Sequence, residues 1–219
     1  MKDIDFKAMT NELKEKIKET IPEASFKPKE ESKFMKVLNK ILFFVPGFMT
    51  TYTTTIGKTI YTPKGFYDSA FGAFATLAHE YVHLYDDRFL MKGYKLQYLF
   101  PQILAVFSLL SILAVFNLSF LWFLLFLLFL APLPAPGRTK IELRGYGMSI
   151  KVRQWLGFEI NDKHISNYAK HFTGSEYYYM WPFKNIKSAL SSWQLGKECC
   201  VDELNPAYRD VAEIISKHV

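Results

Sequence analysis

The sequence predicts an α+β, mostly helical domain with a small β-hairpin and an inserted hydrophobic helical hairpin. Three stretches carry this prediction. No proline or glycine lies between Phe74 and Met91, so a long helix is expected there. Residues 49–62 are rich in β-branched side chains, as strands are. Residues 98–134 contain no charged side chain, which is typical of helices that avoid water.

Composition divides the chain into four segments. Residues 1–32 predict an N-terminal amphipathic helix and a linker, and residues 33–97 predict the first half of the folded domain. Residues 98–135 predict a transmembrane hairpin. Residues 136–219 return to mixed composition and predict the second half of the domain with C-terminal helices.

Charge and cysteine content exclude several classes of protein. The formal net charge of +6 is spread along 219 residues without a basic run, which argues against a nucleic-acid-binding protein. It fits better a protein that lies against an anionic lipid leaflet. The two cysteines, Cys199 and Cys200, are adjacent and form no disulfide framework, so a reducing compartment is expected. The first five residues contain no apolar signal-peptide core.

The N-terminal segment predicts two helices and a linker. Apolar residues recur near helical spacing over residues 3–20, with Lys and Glu between them. We expect this helix to pack on the domain with one solvated face, and the alternative is a helix on a membrane surface. Residues 22–32 are polar and predict a linker, whereas residues 33–44 predict a second helix.

The β-branched stretch predicts a two-stranded ribbon. Gly57 and Lys58 separate Thr-Thr-Ile from Thr-Ile-Tyr and suit a two-residue hairpin turn. An exposed strand edge can pair with an extended peptide, so residues 50–62 are a candidate substrate-binding edge. The alternative is a hairpin that only supports the helix that follows it.

Two histidines in the helix that follows are spaced for one metal ion. His79 and His83 are four residues apart and therefore lie one turn apart on the same helix face. Neutral imidazoles are favourable zinc ligands. Glu80 follows the first ligand and is placed to act as the general base on a zinc-activated water. The alternative is a partly buried helix whose histidines bond to neighbours, but a glutamate on such an apolar helix is costly without a partner.

The ends of this helix supply a cap and two further acids. Either Asp68 or Ser69 can cap its start, and we expect it to continue to about Lys92. Asp86 and Asp87 come one turn after His83. Contact with a ligand histidine, or simple solvation, is favoured for them over a direct bond to zinc.

The uncharged run, residues 98–134, is longer than one membrane span, which needs about 20 apolar residues, and shorter than two spans of that length. Asn117 divides it into residues 101–116 and 118–133. Lysines and arginines flank both ends, which favours a hairpin with both ends in the cytoplasm over one long tilted helix. A membrane location with the catalytic domain on the cytoplasmic side is therefore expected. A buried helical hairpin in a soluble protein is the other alternative.

The chain becomes polar again at Arg138 and soon supplies a candidate third ligand. A zinc ion held by two histidines needs a third protein ligand and keeps its fourth position for water. Glu142 is the acidic residue that follows the uncharged run, inside a stretch compatible with a helix. The alternative is a surface glutamate paired with Arg138 or Arg144.

The order of these features resembles the gluzincin-type membrane zinc metalloproteases of the CAAX-prenyl endopeptidase and bacterial heat-shock class. Their third ligand lies in a Glu-x-x-Ala-Asp motif, and this chain has Glu142 with Gly145 for Ala and Tyr146 for Asp. The resemblance spans roughly residues 53–153 and implies a divergent relative with a zincin-like fold and Zn²⁺ on His79, His83 and Glu142. It does not define the substrate.

The C-terminal third offers candidates for stabilising an oxyanion. Residues 149–158 continue the predicted Glu142 helix, and residues 206–217 predict a last amphipathic helix. Side chains that could donate a hydrogen bond to a tetrahedral intermediate are His164, His171, Tyr146 and the cluster Tyr177, Tyr178 and Tyr179. The cysteine pair is more consistent with a structural role than with a metal site.

The sequence therefore predicts a membrane-associated zinc metallopeptidase. His79, His83 and Glu142 would hold Zn²⁺, and Glu80 would be the catalytic base. The expected partners are a peptide or protein substrate and the lipid bilayer, without nucleic acid. The main alternative is a membrane-anchored structural or assembly protein with a vestigial metal site, and a third is a zinc hydrolase that acts on another bond.

Overall fold

A computed structural model of the chain describes residues 4–43, 45, 47–174, 180–181, 185–195 and 205–219. Within these residues the protein is mostly helical, with one small sheet. The α-helices are α1 (Phe6–Thr20), α2 (Lys33–Ile41), α3 (Ala70–Tyr85), α4 (Tyr94–Leu99), α5 (Pro136–Trp155), α6 (Asp162–Thr173), α7 (Asn185–Gln194) and α8 (Pro206–His218). The strands are β1 (Ser25–Pro28), β2 (Thr54–Ile56) and β3 (Thr59–Thr62).

The sheet has the strand order β1-β3-β2. Strands β2 and β3 are antiparallel, and Gly57 and Lys58 form the turn between them, which confirms the predicted hairpin. Gly57 has a φ of 60°, a conformation that glycine adopts without strain. The expectation that residues 22–32 form only a linker is wrong, because β1 lies there and pairs in parallel with β3.

Helices α3 and α5 cross at the centre of the domain. Ser69 caps α3 by accepting a hydrogen bond from the Gly72 amide. The α-helix ends at Tyr85, earlier than expected, and a π-helical stretch continues it over Asp86–Leu90. Ten consecutive or near-consecutive residues of α3 are buried, and α5 is buried along most of its length, so the two helices form the core of the domain.

The remaining helices pack around this pair. Helix α1 buries Met9, Leu13 and Ile17 in the core and leaves its charged face in solvent, as an amphipathic helix does. Helix α8 is buried in the same way and contacts α1, α3 and α5. The second predicted helix, α2, ends at Ile41, three residues before the expected end.

The uncharged run folds back on itself. It forms two 3₁₀ helices, Gln102–Val115 and Leu118–Leu130, which pack against each other and are here called the apolar hairpin. Asn117 lies at the turn and accepts a hydrogen bond from the Ser119 amide. Phenylalanines three residues apart face one another along the second helix, from Phe120 to Phe129.

The predicted transmembrane hairpin and the membrane location are not supported. No helix in the described ranges combines the length and the apolar character needed to cross a membrane. The physical reason is that the run is divided between helices of 14 and 13 residues, whereas one span takes about 20 residues of α-helix. Large apolar side chains of the apolar hairpin are nevertheless exposed, among them Val115, Phe116 and Trp122.

Candidate metal centre

Helix α3 places two imidazoles against each other. His79 and His83 lie one helical turn apart, and their Nε2 atoms are 2.9 Å from each other. The rings meet edge to face, with their centroids 4.7 Å apart. Both side chains are buried, so the two nitrogens lie close together and largely out of contact with bulk water.

Helix α5 brings Glu142 to the same point. Its Oε2 lies 3.5 Å from the Nε2 of His79 and 3.5 Å from that of His83. Burial alone would raise the pKa of this carboxyl, but the neighbouring imidazoles outweigh burial and hold the pKa well below its usual range. For His83, burial opposes the charged form, and the charge of Glu142 more than compensates and raises the pKa.

The three donor atoms fit a metal ion. His79, His83 and Glu142 together form a buried group whose ligand atoms lie close enough to hold one ion. The circle through the three atoms has a radius of about 1.9 Å, and zinc bonds to nitrogen and oxygen are about 2.0–2.2 Å long. Within the described part of the chain, Glu142 Oε2 is buried without a hydrogen-bond partner, and such an atom is costly unless a cation satisfies it.

Three residues of α5 surround the imidazole of His79. A side chain at Gly145 would put its Cβ 2.5 Å from His79 Nε2, so only glycine leaves room for the imidazole. One turn further along, Ser149 Oγ lies 3.4 Å from His79 Nδ1. The ring of Tyr146 packs edge-on against the same imidazole at 4.9 Å. Ser149 therefore contacts Nδ1, the ring nitrogen of His79 that does not face the metal position, in a chain that has Tyr146 where the motif it resembles has an aspartate.

Strand β2 lies beside the acid that follows the first histidine. The hydroxyl of Thr55 donates a hydrogen bond to Glu80 Oε2 over 2.6 Å. Glu80 follows His79 in the sequence and is buried. Its carboxylate contacts the sheet and is not one of the three metal-ligating groups. A buried glutamate is costly without a partner, and for Glu80 that partner is Thr55.

Sequence reasoning did not identify Tyr98. This residue lies in α4, and its hydroxyl donates a hydrogen bond of 2.8 Å to Glu142 Oε1. Burial, together with the charge of Glu142, raises its pKa well above the usual range, so the hydroxyl keeps its proton at neutral pH. The only sequence signal was a tyrosine at the start of an uncharged run, which by itself indicates nothing about a metal site.

The other candidate residues have separate roles or lie elsewhere. Asp86 forms a bidentate ion pair with Arg144 at 2.8 and 3.0 Å and contributes no metal-ligating atom. His171 stacks on Tyr146 at 5.5 Å, and His164 belongs to the capping box at the start of α6. The remaining candidates, Tyr177, Tyr178, Tyr179, Cys199 and Cys200, lie outside the described residues.

Comparison with known proteins identified no relative of this chain. No family model matches the sequence, and neither a curated protein nor a solved structure matches it. The chemistry of the centre is therefore inferred from its own residues.

Proposed function

We propose that the protein is a zinc-dependent metallopeptidase. The observation that carries the proposal is the convergence of His79 Nε2, His83 Nε2 and Glu142 Oε2 next to a glutamate that is not part of the ligand set. Three protein ligands of this kind are typical of catalytic zinc sites, whereas structural zinc sites are usually closed by four ligands. The donor set of two imidazoles and one carboxylate is the one found in hydrolytic zinc enzymes.

The side chains around the centre have distinct roles in peptide hydrolysis. Zinc, when bound by the two histidines and Glu142, supplies a Lewis acid that lowers the pKa of a water molecule and polarises a carbonyl group. Glu80 takes a proton from the water molecule while the oxygen of that water bonds to the scissile carbonyl carbon. As the carbon–nitrogen bond breaks, Glu80 returns this proton to the leaving amine. Thr55 binds Glu80 Oε2 and leaves Oε1 to carry the proton.

The sheet offers a place for the substrate. Strand β2 is at the edge of the sheet, since β3 lies on only one side of it, and Thr55 connects it directly to the catalytic base. An extended peptide that adds to this edge by main-chain hydrogen bonds would lie next to Glu80. We therefore assign β2, which lies within the predicted stretch 50–62, to substrate binding, in a divergent zincin-like domain similar to that of the CAAX-prenyl endopeptidase and bacterial heat-shock class.

Substitution of Glu80 tests the proposal. The purified chain is loaded with zinc, and metal content and cleavage of a fluorescently labelled unfolded protein are measured for wild type and Glu80→Gln. Glutamine keeps the size of the side chain and can still accept from Thr55, but it cannot take a proton. We expect one zinc per chain in both proteins and a loss of cleavage of about 10²–10⁴-fold or more in the variant.

The same measurements separate the alternatives. A wild-type chain that binds no zinc contradicts the metal site itself. A chain that binds zinc through His79, His83 and Glu142 but cleaves no peptide contradicts the peptidase and supports a non-catalytic metal site in a structural or assembly protein. His83→Ala is the control for metal binding, because it removes one ligand and leaves Glu80 in place.

A further inference from the structure

The two oxygens of Glu142 have different environments. Oε1 accepts the hydrogen bond from the Tyr98 hydroxyl at 2.8 Å. Oε2 faces the two imidazoles and has no hydrogen-bond partner among the described residues. The two carboxylate oxygens therefore differ: Oε1 is hydrogen-bonded to the protein, and Oε2 faces the metal position.

Tyr98 is itself held in place by contacts with Arg138 and Tyr94. The side chain of Arg138 donates from Nε to the Tyr98 carbonyl at 2.9 Å, and its guanidinium lies 5.2 Å from the centre of the tyrosine ring. A second nitrogen of Arg138 donates to Gln102 at the start of the apolar hairpin. The ring of Tyr94 also lies nearly parallel to that of Tyr98, with centroids 6.2 Å apart.

The arrangement also ties Tyr98 to the helix that carries the ligand. Arg138 and Glu142 are one turn apart on α5, so the residue that fixes Tyr98 and the residue that Tyr98 binds belong to one rigid element. Arg138 and Glu142 are buried and Tyr98 is half-buried, so the hydrogen bond between Tyr98 and Glu142 is partly shielded from water and is stronger than it would be in bulk solvent.

We propose that Tyr98 is a positioning residue that makes Glu142 a ligand through one oxygen only. This proposal rests on the metal site of the proposed function. A carboxylate can bind a cation through one oxygen or through both, and the second mode takes up an additional coordination position. By holding Oε1, the hydroxyl of Tyr98 directs Oε2 alone to the metal and preserves the position that water needs. Partners of this kind change metal affinity by about 10–100-fold in other sites.

Tyr98→Phe tests the proposal because it removes only the hydroxyl. Zinc affinity is measured by competition with a chromogenic chelator, and we expect it to fall by about 10–100-fold. Cobalt(II) replaces zinc in a second measurement, because its visible absorption weakens when the coordination number rises from four. We expect the variant to show the weaker absorption, since Oε1 is free to join the metal. Tyr94→Phe is the matched control, because phenylalanine keeps the ring that stacks on Tyr98 and removes a hydroxyl from the same helix, so both its affinity and its spectrum should equal those of wild type.

The outcomes distinguish this inference from the proposed function. If wild type binds zinc in a manner that depends on Glu142, while Tyr98→Phe has unchanged affinity and spectrum, the positioning role is overturned and the metal site stands. If wild type binds no zinc, both are overturned. Circular dichroism of the metal-free proteins shows whether Tyr98→Phe folds, and a spectrum equal to that of wild type assigns any loss of affinity to the missing hydroxyl.

Discussion

Gly145 lies where helix α5 passes over the imidazole of His79. A Cβ atom at this position would lie 2.5 Å from His79 Nε2 and 2.7 Å from His79 Cε1, which is closer than carbon atoms approach in folded proteins. In the middle of an exposed helix, replacing glycine by alanine stabilises the helix by about 1 kcal/mol. Here the steric conflict opposes that gain, because the imidazole would have to leave its position among the metal ligands.

We therefore expect Gly145→Ala to weaken zinc binding by at least about tenfold. The loss should be visible in chelator competition even if the melting temperature of the metal-free protein changes little. Gly147→Ala is the control on the same helix, because its Cβ would meet the ring of Trp193 at 2.6 Å rather than a ligand. That variant should lose stability and keep its zinc affinity. Equal zinc affinity in Gly145→Ala and wild type would show that His79 is not held against α5.

At the scale of elements, a buried ion pair joins the two central helices. Asp86 follows α3 and is fully buried, and Arg144 on α5 donates to both of its carboxylate oxygens. The carbonyl of Arg144 accepts a hydrogen bond from Tyr208, so α8 is tied to the same point. The pair lies one turn beyond His83 on one helix and close to Glu142 on the other. It therefore helps to hold α3 and α5 together near the metal ligands.

Removing the positive charge of Arg144 should reduce both the stability of the fold and the affinity for metal. Arg144→Met leaves the buried carboxylate of Asp86 without its partner, and such a change costs about 3–5 kcal/mol. We expect urea denaturation to show a loss of this size, together with weaker zinc binding. The double variant Arg144→Met with Asp86→Asn removes the unpaired charge and should recover part of the stability. A double variant no more stable than Arg144→Met would contradict the assignment of the loss to the buried charge.

The same elements show which parts of the structure the sequence predicts. The spacing of His79 and His83 is fixed by one turn of a single helix, and a local pattern is enough to predict it. The contact between Tyr98 and Glu142 spans 44 residues and depends on how α4 packs against α5, so no local pattern indicates it. Strand β1 has four residues and ends in a proline. It exists because β3 pairs with it, which is also a tertiary effect.

At the scale of the whole molecule, buried polar contacts connect distant parts of the chain. The hydroxyl of Tyr81 on α3 donates to Asp210 on α8 at 2.7 Å and also contacts Thr20 at the end of α1, at 3.0 Å. Glu12 on α1 accepts from Lys217 at the end of α8. These contacts hold the first and last helices on the metal-site helix, so the geometry of the centre depends on the integrity of the whole domain.

Lys29 makes the stability of the whole domain dependent on pH. The side chain is fully buried, and its Nζ donates to the carbonyl of Phe48 and lies 4.2 Å from the centre of that ring. Burial lowers the pKa of Lys29 to about 8, although the charge of Glu80 acts in the opposite direction. In the unfolded chain the ordinary value is 10.5. Between these two values the unfolded state binds more protons than the folded state.

Stability attributable to Lys29 should therefore increase as the pH rises from about 8 to about 10.5, and the total gain is at most about 3 kcal/mol. Urea denaturation of wild type and Lys29→Met across this range measures it, because the titration of all other groups is common to both proteins. We expect the free energy of unfolding of wild type to rise relative to that of the variant. Lys27→Met, at an exposed position on β1 two residues before Lys29, should run parallel to wild type. If Lys29→Met also runs parallel, the buried ammonium keeps its proton throughout and is stabilised by more than its contacts with Phe48.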